Sequence, residues 1–115
     1  MRHNVKKSKK LGRGMDQRRK LLRSLGSSVI VHERIETTQS QAKAIRGYVD
    51  RMITKGKGKT LHTHRQLLAG LSRNAAKKVT EVLADRYMER KGGYTRIIIA
   101  GRAKDGMRRY IVELV

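Results

Sequence analysis

Cysteine, proline, tryptophan and phenylalanine are all missing from these 115 residues. Without cysteine there is no disulfide frame, no thiolate nucleophile and no zinc knuckle. Without Trp or Phe, a basic helix lying on a membrane surface would lack the aromatic side chains that anchor its apolar face. No apolar run approaches the ~18 residues that a spanning helix needs. The opening residues are too basic and polar for the apolar segment of a signal peptide, and too poor in serine and amphipathic repeat for a transit peptide. The chain is therefore expected to be soluble and to stay intact where it is made. Four tyrosines are its only aromatics, so the core is expected to be built from Leu, Ile, Val, Ala and Met, with modest stability in isolation. Acid is scarce as well. Nine Asp and Glu stand against 29 Lys and Arg, for a net charge of +20. Self-repulsion of that size opposes a compact state. A polyanion relieves it, and nucleic acid is the partner to expect, because neutralised phosphates release condensed counterions.

The first fifteen residues hold six Lys or Arg and no acid. Such a segment has nothing to bury, so residues 1–15 read as a basic arm that orders in a groove of nucleic acid. Residues 16–115 read as one globular domain. In the arm the candidate contacts are Arg2, His3, Lys6, Lys7, Lys9, Lys10 and Arg13.

Asp16 can cap a first helix, in which Leu21, Leu22, Leu25 and Val29 form an apolar stripe. Arg18, Arg19 and Arg23 lie off that stripe and are candidate contacts to nucleic acid. Gly26 weakens the helix by about 1 kcal/mol relative to alanine and is expected to end or bend it. HERIETT then alternates as a short strand would, with Val31, Glu33, Ile35 and Thr37 on one face. Thr38 to Gln41 has the spacing of a capping box ahead of a second helix carrying Ala42, Ile45, Val49, Met52 and Ile53. A basic loop, KGKGKT, offers Lys55, Lys57 and Lys59 to phosphate. A third helix is expected over Thr63–Leu71. Asn74 can cap a fourth, where Lys77 and Glu81 are spaced for a pair worth about 0.2–0.5 kcal/mol. Glu81, Asp85 and Glu89 would line one face of that helix, either solvated or turned toward another basic protein.

The stretch KGGYTRIII follows. Gly92 fits a helix C-cap, Tyr94–Ala100 a strand, Asp105-Gly106 a turn, and YIVELV a last strand. The isoleucine face is expected on the helices, with Tyr94 and Arg96 at the polar end of the sheet. There a ring can stack on a base or ribose and a guanidinium can pair with phosphate; packing of Tyr94 on a helix end is the equal alternative. Arg102, Lys104, Arg108 and Arg109 stud the connection. The fold class is α+β: about four helices on a small mixed sheet of three strands, one after the first helix and two C-terminal.

Two motifs fail. KGKGKT ends like a phosphate-binding loop, but the position that must be glycine is Ile53. His62 and His64 are not spaced for one helix face and have no further ligands nearby. Nor do a nucleophile, a base and an orienting group come together. Neither an enzyme, nor a metal, nor a cofactor is expected.

MRH, LGR and QRRKLLRSL, then HERIETT with QAKAIR, KGGYTRI and the closing IVELV, carry a resemblance. In that order and spacing they resemble the family of the seventeenth protein of the bacterial large ribosomal subunit. The chain departs from that pattern at Gln17, in the Lys55–Thr60 loop and in the basic turn over 102–109. The resemblance implies a structural protein bound to large-subunit rRNA near the outlet of the polypeptide tunnel, beside other ribosomal proteins, in the cytoplasm of a cell with bacterial-type ribosomes. It implies no membrane and no homo-oligomer. His32, Thr38, Lys43, Arg46, Arg65 and Arg102 join the candidate rRNA contacts. A DNA-binding architectural protein or regulator is the alternative, but the basic residues are spread over arm, loops and helices and not gathered on one recognition helix.

Overall fold

Residues 11–115 are described by a computed structural model; Arg2, His3, Lys6, Lys7, Lys9 and Lys10 lie outside them. The chain turns at Leu11 and Gly12, both at positive φ, and enters α1 (Met15–His32). Gly14, and not Asp16, is the N-cap; Asp16 sits in the first turn, where the helix dipole favours an anion. Gly26 does not end the helix. It is buried inside it, and a Cβ there would stand 3.0 Å from Cδ1 of Tyr48. Its missing side chain is what lets that ring lie against α1.

Glu33, left-handed at φ 63, ends α1. Val31 and His32 are therefore helical, and the strand expected from Val31 shortens to β1 (Arg34–Thr37). Thr38 is the N-cap of α2 (Gln39–Gly56), but its side chain makes no capping bond. The box fails because the Thr37 hydroxyl takes Gln41, donating to its Oε1 at 2.6 Å. A capping box forms instead at α3 (Leu61–Gly70), between Thr60 and Thr63. Ser72, not Asn74, caps α4 (Arg73–Lys78). The helix continues through a π turn (Val79–Leu83) and a last α turn (Ala84–Arg86). A π turn breaks the i, i+4 repeat, and Glu89 falls beyond the helix, so Glu81, Asp85 and Glu89 do not form one stripe. Gly92 is too far on to be its C-cap. Gly93, at φ 64, makes the left-handed step into the sheet.

β2 (Thr95–Arg102) and β3 (Arg108–Leu114) are joined by the expected turn, with Gly106 at φ 83. The strand order is β1-β3-β2. Both pairings are antiparallel, so the sheet is not mixed. Otherwise the architecture is the expected one, with four helices and the three strands in their expected places.

Val29, Ile30, Ile45, Val49, Ile53, Leu67, Leu71, Val79, Leu83 and Val112 fill the core with no exposure. Tyrosine is not peripheral to it. Tyr94 is among the largest fully buried side chains, and Tyr87 and Tyr110 are buried too. The Tyr87 and Tyr94 rings meet at 5.2 Å between centroids. The isoleucine face meets the helices only at its start. Thr95 is buried and Ile97 packs on the core, but every β2 residue from Ile98 onward is exposed, with Ile99 at 65%.

Candidate nucleic-acid interface

Charge in this fold is divided between two uses. Among the described residues five cations are tied to three carboxylates. Glu33 holds Lys78 at 3.1 Å and also Arg86. Glu113 accepts from Arg96 Nε at 2.6 Å and lies 3.7 Å from Arg34. Asp85 pairs with Lys59. The hydrogen bonds from Arg86 and Lys78 draw the Glu33 carboxyl from 4.5 down to about 2. Asp50 goes the other way: burial raises its pKa, against the Thr95 hydroxyl that donates to it at 3.0 Å and the charge of Arg46.

Several candidate contacts prove to be internal braces. Lys57 donates to the carbonyl of Arg90, and its Nζ lies 4.5 Å over the Tyr94 ring. Arg23 donates to the carbonyls of Leu68 and Leu71, at 3.3 and 3.1 Å, and so closes the end of α3. Arg13 bonds to Leu11 at 2.7 Å. Arg96 crosses to Glu113 on the next strand. Tyr94 is the clearest correction. Its ring is 1% exposed and its hydroxyl donates to the Arg90 carbonyl at 3.2 Å, so no face remains on which a base can stack. It packs on the helix end, the alternative left open above. In the KGKGK loop, Lys55 alone keeps an ammonium without a partner among the described residues.

Among the candidate contacts, those that remain exposed with neither ion pair nor hydrogen bond among the described residues are Arg19 on α1, Lys43, Arg46 and Lys55 on α2, Arg65 on α3 and Arg102 at the end of β2. Lys20, Arg73, Lys77, Lys91 and Lys104 are exposed and unpaired among the described residues as well. Arg18 is half-buried beside Arg19, His32 is exposed at the last turn of α1, and Thr38 is half-buried at the start of α2. At about 3.6 residues per turn Lys43 and Arg46 share one side of α2, whereas Lys55, nine residues beyond Arg46, faces roughly the opposite side. Arg51 belongs with them and was missed. It lines an open cavity of about 410 Å³ with Asp50, Thr54, Lys55, Gly92, Gly93 and Tyr94; its spacing four before Lys55 was the available signal. Arg108 and Tyr110 were not among the candidates; they line an open cavity with Thr38, Gln39 and Ser40 at the start of α2, a placement that only the strand register reveals. No carboxylate, histidine and nucleophile converge on any of these surfaces, and among the described residues no helix is long and apolar enough to cross a membrane.

The family described as Ribosomal protein L17 matches residues 21–115. Large ribosomal subunit protein bL17 of Syntrophotalea carbinolica is 44% identical over 117 residues, covering all of this chain and 75% of that protein. The protein of the same name from Caldanaerobacter subterraneus subsp. tengcongensis is 47% identical over 109 residues, covering 93% of this chain and 97% of its own. That of Staphylococcus carnosus is 44% identical over 119 residues, covering 93% and 98%.

Proposed function

The chain belongs to the ribosomal protein L17 family, and on that premise we propose that it is a structural constituent of the large ribosomal subunit that binds large-subunit rRNA. The relatives are named as ribosomal proteins and not as enzymes, and the reading assigns the chain no reaction. The observation that carries rRNA binding is the unpaired cationic surface on a chain of net charge +20. Glu33, Asp85 and Glu113 are tied to cations of the fold, while Lys43, Arg46, Lys55, Arg65 and Arg102 are held out in solvent. Contacts of this kind go to phosphate and sugar and fix position more than sequence. Residues 1–15 act as an arm that orders on the rRNA, and residues 16–115 as the body that anchors it. The family resemblance supports a place near the outlet of the polypeptide tunnel, with neighbouring ribosomal proteins as partners, in the cytoplasm.

The endogenous protein should co-sediment with large subunits after a high-salt wash. Release of the protein by that wash together with recovery on DNA would overturn the reading in favour of a DNA-binding protein. α1 argues against DNA reading already, since Arg23 is spent on the α3 carbonyls.

A further inference from the structure

β1 and β3 pair as far as Thr37 and Tyr110, and directly afterwards the chain reverses at Thr38 into α2. The reversal leaves the first turn of an 18-residue helix beside the helix-facing side of β3. There Thr38, Gln39, Ser40, Met107, Arg108 and Tyr110 line an open cavity of about 320 Å³.

Two features of this cavity are independent of each other. The first is a set of unspent amides. The first α2 amide with an acceptor is Ala42, which donates to the Thr38 carbonyl at 2.9 Å. Thr38 makes no side-chain cap, and the side-chain carbonyl of Gln41 accepts from the Thr37 hydroxyl. Among the described residues the amides of Gln39, Ser40 and Gln41 thus find no acceptor, at the end of the helix whose dipole attracts anions. The second is Tyr110. Only 8% of it is exposed, it lines the cavity, and its hydroxyl has no hydrogen-bond partner among the described residues. Among the described residues no fully buried side-chain polar atom lacks a partner, so this hydroxyl reaches solvent at the cavity its residue lines and is free to donate there. Arg108, two residues earlier on the same face of β3, is exposed and has no ion pair there either. Backbone amides, a phenol and a guanidinium converge, and no carboxylate lines the cavity. Two acids lie two residues from the lining along the chain: Glu36 pairs opposite Ile111 on the other face of the sheet, and Asp105 accepts from the Met107 amide at 3.0 Å.

We propose that this cradle binds a single phosphate of the RNA backbone, with the α2 amides, the Tyr110 hydroxyl and Arg108 as its donors. The proposal rests on the rRNA-binding reading and deepens it by giving one phosphodiester a named seat.

The full-length protein tests it in two arms. Inorganic phosphate, titrated at constant ionic strength against chloride, should shift the backbone amide resonances of Gln39, Ser40 and Gln41 ahead of those elsewhere on α2. On rRNA, Tyr110→Phe removes one hydroxyl and keeps the ring. Gln39→Pro removes one amide at a helix position that suits proline, and Thr38, at φ −82 and ψ 165, already has the backbone of a residue before proline. Each should weaken rRNA binding roughly tenfold, the loss of one hydrogen bond to a charged group, with the melting curve of Gln39→Pro matching wild type. Arg108→Gln should lower the slope of log affinity against log salt by about 0.7–0.9. Wild-type affinity in both Tyr110→Phe and Gln39→Pro, while the parent protein binds rRNA tightly, would overturn the cradle and leave the rRNA reading standing. Amide shifts with inorganic phosphate in a protein indifferent to rRNA would overturn the RNA assignment itself.

Discussion

Lys43 and Lys57 bracket the same helix and carry the same charge, yet the fold employs them differently. At the C-terminal end of α2, Lys57 is drawn over the Tyr94 ring onto the Arg90 carbonyl, and Lys59 is paired with Asp85. At the N-terminal end, Lys43 and Arg46 stand exposed and unpaired among the described residues, with the cavity of Arg108 and Tyr110 close by. One end spends cations to hold a loop against the core; the other leaves them for something outside the molecule. In a chain with so few acids, carbonyls and aromatic faces stand in for carboxylates where the fold itself needs a counterpart. A strongly basic composition is thus no guide to which of its cations meet phosphate.

The largest effect that can break this comparison lies at the braced end. Tyr94→Ala should cost about 3–5 kcal/mol of stability, as loss of a buried aromatic side chain does, measured by denaturant unfolding. Tyr94→Phe should cost only the hydroxyl's bond to Arg90, about 0.5–1.5 kcal/mol, and leave rRNA affinity unchanged once folded. A folded Tyr94→Phe protein with weakened rRNA binding would restore the stacking role that burial argues against.

Next comes the arm. Deleting residues 1–14, which stops short of α1, removes six Lys and Arg. Log affinity for rRNA against log salt should flatten by roughly 4–5, at about 0.7–0.9 for each phosphate contact. An unchanged slope would show that the arm makes no phosphate contact and that the body alone carries the charge neutralisation.

A smaller effect belongs to Glu33, whose pairing with Arg86 and Lys78 is partly exposed. Solvent screening limits such a pair, so Glu33→Gln should cost no more than about 1 kcal/mol near neutral pH. Its carboxyl titrates lower in the folded state than in the unfolded one, 4.5 falling to about 2. The contribution is therefore present above pH 4.5 and is lost as the pH falls toward 2. Melting curves of the two proteins should converge across that window, and a constant gap at pH 2 would show that Glu33 acts through packing.

Much of the frame was legible before the structure. The apolar stripes of α1 and α2, the Asp105-Gly106 turn and the three strands depend on local periodicity and turn chemistry, which a sequence displays directly. The misplaced caps at Asp16 and Asn74 were local errors of two residues each, but the larger errors share a different origin, a partner distant along the chain. Gly26 looked like a helix breaker until Tyr48 of α2 was seen to need the space. Lys57 looked like a phosphate ligand because Arg90 and Tyr94, which hold it, come more than thirty residues later. Tyr94 could be read as a stacking platform or a packing residue, and only burial decided between them. Ile98 and Ile99 follow the strand pattern faithfully and still face solvent, because nothing local says where the helix layer ends. Among the candidate contacts, exposure and residue type could be guessed, but freedom from internal partners could not.

The most direct measurement is the salt dependence of rRNA binding for two double variants. In Lys43→Gln with Arg46→Gln, the slope of log affinity against log salt should fall by roughly 1.4–1.8, two phosphate contacts' worth, with the melting temperature unchanged. In Lys57→Gln with Lys59→Gln, the melting temperature should fall and the slope should stay at its wild-type value. Equal losses of slope in the two proteins would contradict the division of labour between braced and exposed cations.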